Sequence, residues 1–116
     1  MNWDVELAEN AEDDIENIYN YIAVTLDEPV IAWNQTERIR DKIKKLCYLP
    51  KRYPVVQDEP WKSRKVRKMT IDNYTVFYFL NDAASTVTVI RVFYSRRNIK
   101  DNIHYLEEYT TCDTSD

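Results

Sequence analysis

The sequence predicts an α+β domain: an N-terminal strand, an antiparallel two-helix hairpin, a three-strand antiparallel meander and a short C-terminal helix. Three observations carry that reading. Apolar residues recur at spacings of three and four between residues 11 and 46. Residues 66–94 are dense in β-branched and aromatic side chains. Prolines and Asx residues stand where these patterns break. At 116 residues the chain suits one domain, placed at 1–110, with 111–116 (TCDTSD) expected as a frayed polar tail.

Trp3, Val5 and Leu7 alternate with Asp4 and Glu6, the period of a short strand with one buried face. Ala11, Ile15, Ile18 and Ile22 then mark the first helix, with Tyr19 and Leu26 beside them. Its early turns carry Glu12, Asp13, Asp14 and Glu16, which complement the helix dipole. Asp27-Glu28-Pro29 closes that helix and opens the next, with Pro29 suited to a first helical position. Ala32, Thr36, Ile39, Ile43 and Leu46 form the apolar stripe of the second helix, with Arg38, Arg40, Lys42, Lys44 and Lys45 on its polar face. Pro50 and Pro54 impose an irregular connection. Strands follow over Val66–Ile71, Tyr74–Leu80 and Val87–Tyr94, with the first strand of the chain added at an edge. Residues 98–109 place Ile99, Ile103 and Leu106 on one side of a last short helix.

Composition excludes much. The chain has no glycine, so neither a glycine-rich phosphate loop nor a dinucleotide fingerprint can form. Asn73, Asn81 and Asp82 are expected to take the left-handed turn positions instead. His104 is the only histidine, expected on the helix surface, which removes histidine triads and multi-histidine metal sites. No metal or cofactor is expected. Cys47, read as a small core filler, and Cys112 lie in dissimilar contexts that disfavour a disulfide. No apolar run is long enough to cross a bilayer and MNWDVELAEN is no signal peptide, so a cytoplasmic location without membrane contact is expected.

Charge is segregated. Residues 1–60 carry 7 Lys/Arg against 13 Asp/Glu, residues 61–100 carry 9 against 2, and residues 101–116 carry 0 against 5. A net of −4 therefore hides a positive segment suited to phosphate backbones or acidic protein surfaces.

The ordered set of motifs resembles the RelE/ParE superfamily of bacterial type II toxin–antitoxin toxins. A-E-D-D-I-x-x-I-x-x-Y-I (Ala11 to Ile22) is followed by P-x-x-A (Pro29 to Ala32) and by a helix ending at Leu46 and Pro50. Arg67 stands seven residues before Tyr74, Tyr74 to Tyr78 resembles the family's Y-x-V-F-Y strand, and Val92 to Arg97 resembles its terminal V-x-H-x-R-R-D. The resemblance covers residues 1–100 and implies a cognate antitoxin, with an acidic or disordered segment expected to bind the basic face. It implies one of two targets. RelE-like toxins cut messenger RNA in the ribosome, whereas ParE-like toxins inhibit DNA gyrase. A third reading is an inactive relative kept as an antitoxin's partner.

For metal-free RNA cleavage the resemblance implies Arg67, Tyr94, Arg96 and Arg97 as catalytic candidates. Lys62, Arg64, Lys65, Lys68, Tyr74 and Arg91 are the binding candidates. Tyr74, Tyr78 and Tyr94 can stack on bases, while Tyr74, Tyr78 and Phe93 can equally be cross-strand packing. The run 61–68 is either this surface or a solvated edge. Arg91, in phase with Val87 and Val89, either pairs with an acidic residue or joins the site. Thr75 departs from the RelE pattern, which places a phosphate-binding arginine directly after the strand's first tyrosine. That substitution favours the ParE-like reading, with Arg67 or Arg91 as the cations able to compensate.

Overall fold

The computed structural model describes residues 2–95. The expected C-terminal helix and tail, with Arg96, Arg97, His104 and Cys112, lie outside them.

Strand β1 is Asp4–Leu7, with Asp4 and Glu6 exposed and Val5 and Leu7 half-buried, as the alternation dictates. Helix α1 (Glu9–Asn20) buries Ala11 and Ile15 and runs into a π-helical turn, Tyr21–Thr25, that buries Ile22. Leu26 N–H bonds to the Tyr21 carbonyl and Glu28 N–H to that of Ile22, each 3.0 Å, closing the hairpin. Helix α2 (Pro29–Lys44) opens on its proline and buries Ala32, Thr36, Ile39 and Ile43, with Leu46 buried in the 3-10 turn Lys45–Cys47. These are the five residues the spacing predicts. Thr36 is tolerated inside because its hydroxyl donates to the Ala32 carbonyl at 3.0 Å.

The sheet runs β1-β4-β3-β2, with β2 at Arg67–Ile71, β3 at Tyr74–Asn81 and β4 at Thr86–Tyr94. β2, β3 and β4 form the antiparallel meander, and β1 joins the β4 edge in parallel, Asp4 opposite Thr86 through Leu7 opposite Val89. A parallel neighbour needs a crossover, which the hairpin and the long connection supply.

Register shifts in the β3–β4 pair. Phe77 lies opposite Arg91 but Tyr78 lies opposite Val89, so Ile90 is one residue too many. Such a bulge reverses which face the following residues occupy. Val87 and Val89 join the core under the helices, and beyond the bulge it is Val92 that does so. The expected phase of Arg91 with Val87 and Val89 is thereby overturned.

The sheet is covered on both faces. Beneath the helices lie Ala11, Ile15, Ile39, Ile43, Leu46, Met69, Val76 and Tyr78 among others. On the opposite face Val56, Trp61 and Val66 pack on Phe77, Ile90 and Phe93. The irregular connection forced by the prolines supplies this second cover. It also shields β2, since Val56 N–H bonds to Val66 O at 2.7 Å and Lys68 N–H to Pro54 O at 3.0 Å. Cys47 is half-buried rather than a core filler.

The left-handed positions fall on Asp27, Leu49, Lys65, Asp72 and Ser85, and none on Asn73, Asn81 or Asp82. In the two-residue β2–β3 turn the positive φ belongs to the first residue. Asn81 contributes its side chain instead, accepting from Ala84 N–H at 3.1 Å. No helix among the described residues is long and apolar enough to cross a membrane.

Candidate functional site

Tyr74 and Tyr94, opposite each other on β3 and β4, meet edge to face with ring centroids 5.6 Å apart. They help line a cleft of about 660 Å³, with Asp14, Asn17, Ile18, Tyr21, Ile22, Leu26, Ile31, Val92 and Phe93. The cleft forms because β1 stops at Leu7 while β4 continues to Tyr94, leaving a gap between α1 and the β4 edge. Burial first, then the neighbouring Tyr94, Asp72 and Tyr21, pushes the Tyr74 phenol above its ordinary value. At neutral pH Tyr74 can donate a hydrogen bond but cannot serve as a base. At the hairpin tip Tyr21, Leu26 and Ile31, which line the cleft, are exposed together with Val24, Val30 and Trp33.

Arg91 is tied down. Its Nε and Nη2 each donate to the Asp14 carboxylate at 2.8 Å, and the same carboxylate accepts Val92 N–H at 2.9 Å. Asp14 thus takes over where β1 gives out. The ion pair is well shielded, the two side chains being 15% and 10% exposed. Of the alternatives open in the sequence, Arg91 takes the acidic partner. The role of Asp14 was missed there, although its place three residues after Ala11 and four before Ile18 puts it on the apolar stripe. A carboxylate on that stripe calls for a partner.

Arg67 is likewise engaged. Its Nη1 donates to the carbonyls of Lys51 at 3.0 Å and Tyr53 at 2.6 Å. Its cross-strand neighbour Tyr78, fully buried, donates its hydroxyl to the Pro50 carbonyl at 2.6 Å. Desolvation pushes the Tyr78 phenol up to about 12, with Arg67 working against the shift. Tyr78 is therefore a packing and anchoring residue, and Arg67 is no freely exposed strand-end arginine.

The basic run is anchored at Trp61 and Val66, both buried, while Lys62, Arg64, Lys65 and Lys68 are exposed. Thr75 shares a 2.8 Å hydrogen bond with Ser95. Among the described residues, Tyr74 and Tyr94 are candidates that the structure brings into contact. Tyr74 packs with the helix-side core, and Arg91 and Arg67 are held by separate partners. Among the described residues no group of three His, Cys, Asp or Glu side chains could hold a metal.

The model of the ParE toxin of type II toxin–antitoxin system, parDE, matches residues 5–99. The chain belongs to the ParE toxin family. Its fold is that of the RelE/ParE superfamily of type II toxins. It is similar to a structure of the chromosomal ParDE system from P. aeruginosa, with a TM-score of 0.65 and 18% identity over 79% of this chain and 95% of that one. The RelBE2 toxin–antitoxin complex from Mycobacterium tuberculosis gives 0.58 and 17%, covering 81% and 92%. The isolated E. coli RelE toxin gives 0.53 and 15%, covering 90% and 98%. No curated protein is significantly similar in sequence. At these identities the structural likenesses carry the fold, which ParE-type and RelE-type proteins share.

Proposed function

We propose that this ParE-family toxin arrests growth by binding a protein target, DNA gyrase, and does not turn over RNA. One observation carries the reading: the arginines able to compensate for Thr75 are both tied into the fold, Arg67 through Nη1 to the Lys51 and Tyr53 carbonyls and Arg91 through Nε and Nη2 to Asp14. The face of the sheet opposite the helices supports it, since Trp61 seals that face against Phe77, Ile90 and Phe93. A transition state with charge developing on phosphate needs preorganised, uncommitted donors, and losing one costs about 2.7–4 kcal/mol.

The same reading includes a cognate antitoxin. Its acidic segment lands on the exposed cations Lys62, Arg64, Lys65 and Lys68, and an apolar part fills the cleft beside Tyr74 and Tyr94. The test is induced expression in a sensitive bacterial host. Growth arrest with loss of gyrase supercoiling and intact messenger RNA is expected. Codon-aligned cuts in ribosome-bound messenger would replace this reading with a RelE-like endoribonuclease.

A further inference from the structure

Leu49 presents a combination that folding alone does not favour. Its backbone is left-handed (φ 46°, ψ 54°), a region where the Cβ of a leucine crowds its neighbours. The side chain gains no burial in return, being 72% exposed, and the adjacent Tyr48 is 59% exposed. Two side chains hold the turn from the sheet beneath it. Tyr78 takes the Pro50 carbonyl, and Arg67 takes those of Lys51 and Tyr53. Arg52 N–H closes the turn on the Leu49 carbonyl at 3.1 Å.

The flanking sequence is cationic. Between Asp41 and Asp58 the chain has no carboxylate and five cations: Lys42, Lys44, Lys45, Lys51 and Arg52. Lys51 is paired with Asp82 at 2.9 Å, and Arg52 lies over the Tyr53 ring at 5.0 Å. Lys44 and Lys45 are exposed and make no ion pair among the described residues. An exposed apolar tip in a cation-rich stretch of chain is complementary to an apolar recess in an acidic protein surface. A nucleic acid would engage the cations and leave Leu49 idle.

We propose that the Tyr48–Arg52 turn is a docking knob for an acidic surface of the protein this toxin inhibits, with Leu49 as its apolar tip and Arg67 as the positioning residue beneath. The inference rests on the binding-toxin reading above. Backbone strain at a leucine is maintained where the surrounding structure imposes it, and such positions concentrate at functional sites.

Leu49→Gly separates fold from function, because glycine adopts the left-handed conformation without penalty. The full chain carrying it should melt at or above the wild-type temperature. It should nevertheless need at least tenfold more toxin per cell to arrest growth. Lys44→Glu/Lys45→Glu should weaken arrest similarly. Arg67→Ala, compared per folded molecule, should lose potency to the same extent, and the double variant with Leu49→Gly should be no weaker than either alone. An Arg67 with a purely structural role would leave potency per folded molecule unchanged. Potency of Leu49→Gly within twofold of wild type would overturn the proposal. So would binding of a 20-nucleotide single-stranded RNA that falls in the charge variant but is indifferent to Leu49→Gly. A wild-type chain that arrests no growth would count instead against the toxin reading itself.

Discussion

Asp14 on α1 and Arg91 on β4 are bound through two parallel hydrogen bonds of 2.8 Å, and the same carboxylate caps Val92 N–H. One side chain thus satisfies both the guanidinium and a strand amide that β1 is too short to reach. The pair fixes the middle of α1 on the outer edge of β4, at one wall of the cleft.

Asp14→Ala should therefore destabilise the fold strongly, by about 3–5 kcal/mol, because it strips a shielded cation of its carboxylate. Replacing the pair with apolar residues of similar size, Asp14→Leu with Arg91→Met, should cost less than Asp14→Ala alone. Urea unfolding of the three proteins checks both the size and the order.

The Tyr78 phenol makes a prediction at high pH. Its folded-state pKa of about 12 lies above the ordinary value of 10.0, so the folded protein holds this proton more tightly than the unfolded chain. That contribution is fully present below pH 10 and is lost as pH rises from about 10 towards 12. Tyr78→Phe removes it. The stability gap between wild type and variant should be constant up to about pH 10 and shrink above it. Near neutrality, where the Pro50 carbonyl loses its donor, the gap should be about 1–3 kcal/mol. Thermal melts across that pH range read both quantities.

Trp61 is fully buried and holds the connection against the second face of the sheet. Trp61→Ala should cost about 3–5 kcal/mol and raise protease sensitivity between Tyr53 and Val66 before it affects the hairpin. Trp61→Phe should cost less than its lost volume suggests, because the indole Nε1 is buried with no hydrogen-bond partner among the described residues and its removal relieves that. Limited proteolysis with mass spectrometry locates the first cut.

Arg96 and Arg97, candidates that lie outside the described residues, are expected to matter for growth arrest and little for stability. The sequence reads both as exposed, so Arg96→Ala and Arg97→Ala should melt within about 0.5 kcal/mol of wild type. Arg67→Ala should instead lose about 1.5–3 kcal/mol, through its two bonds from a charged donor to carbonyls. Melting curves beside growth curves distinguish the two classes. If Arg96→Ala and Arg97→Ala retained full potency, the working surface would have to lie elsewhere.

Much of the architecture was written in local periodicity. The stripe Ala32, Thr36, Ile39, Ile43 and Leu46 is buried as its spacing requires, and Pro29 opens α2, because helix faces and first-turn prolines are set by neighbours within one or two turns. The three-strand meander was legible from β-branched and aromatic runs between turn residues, and the family resemblance from the order of the motifs along the chain. What the sequence left open was decided by contacts between residues far apart. The bulge at Ile90 arises from β3–β4 register and took Arg91 out of phase with Val87 and Val89. Arg91 then found Asp14, 77 residues away, and Arg67 found carbonyls 14 and 16 residues back. A charged side chain in the sequence is an open valence. Only the tertiary structure, by setting which carboxylate or carbonyl lies within 3 Å, decides whether that charge is consumed in holding the fold or left exposed for a partner.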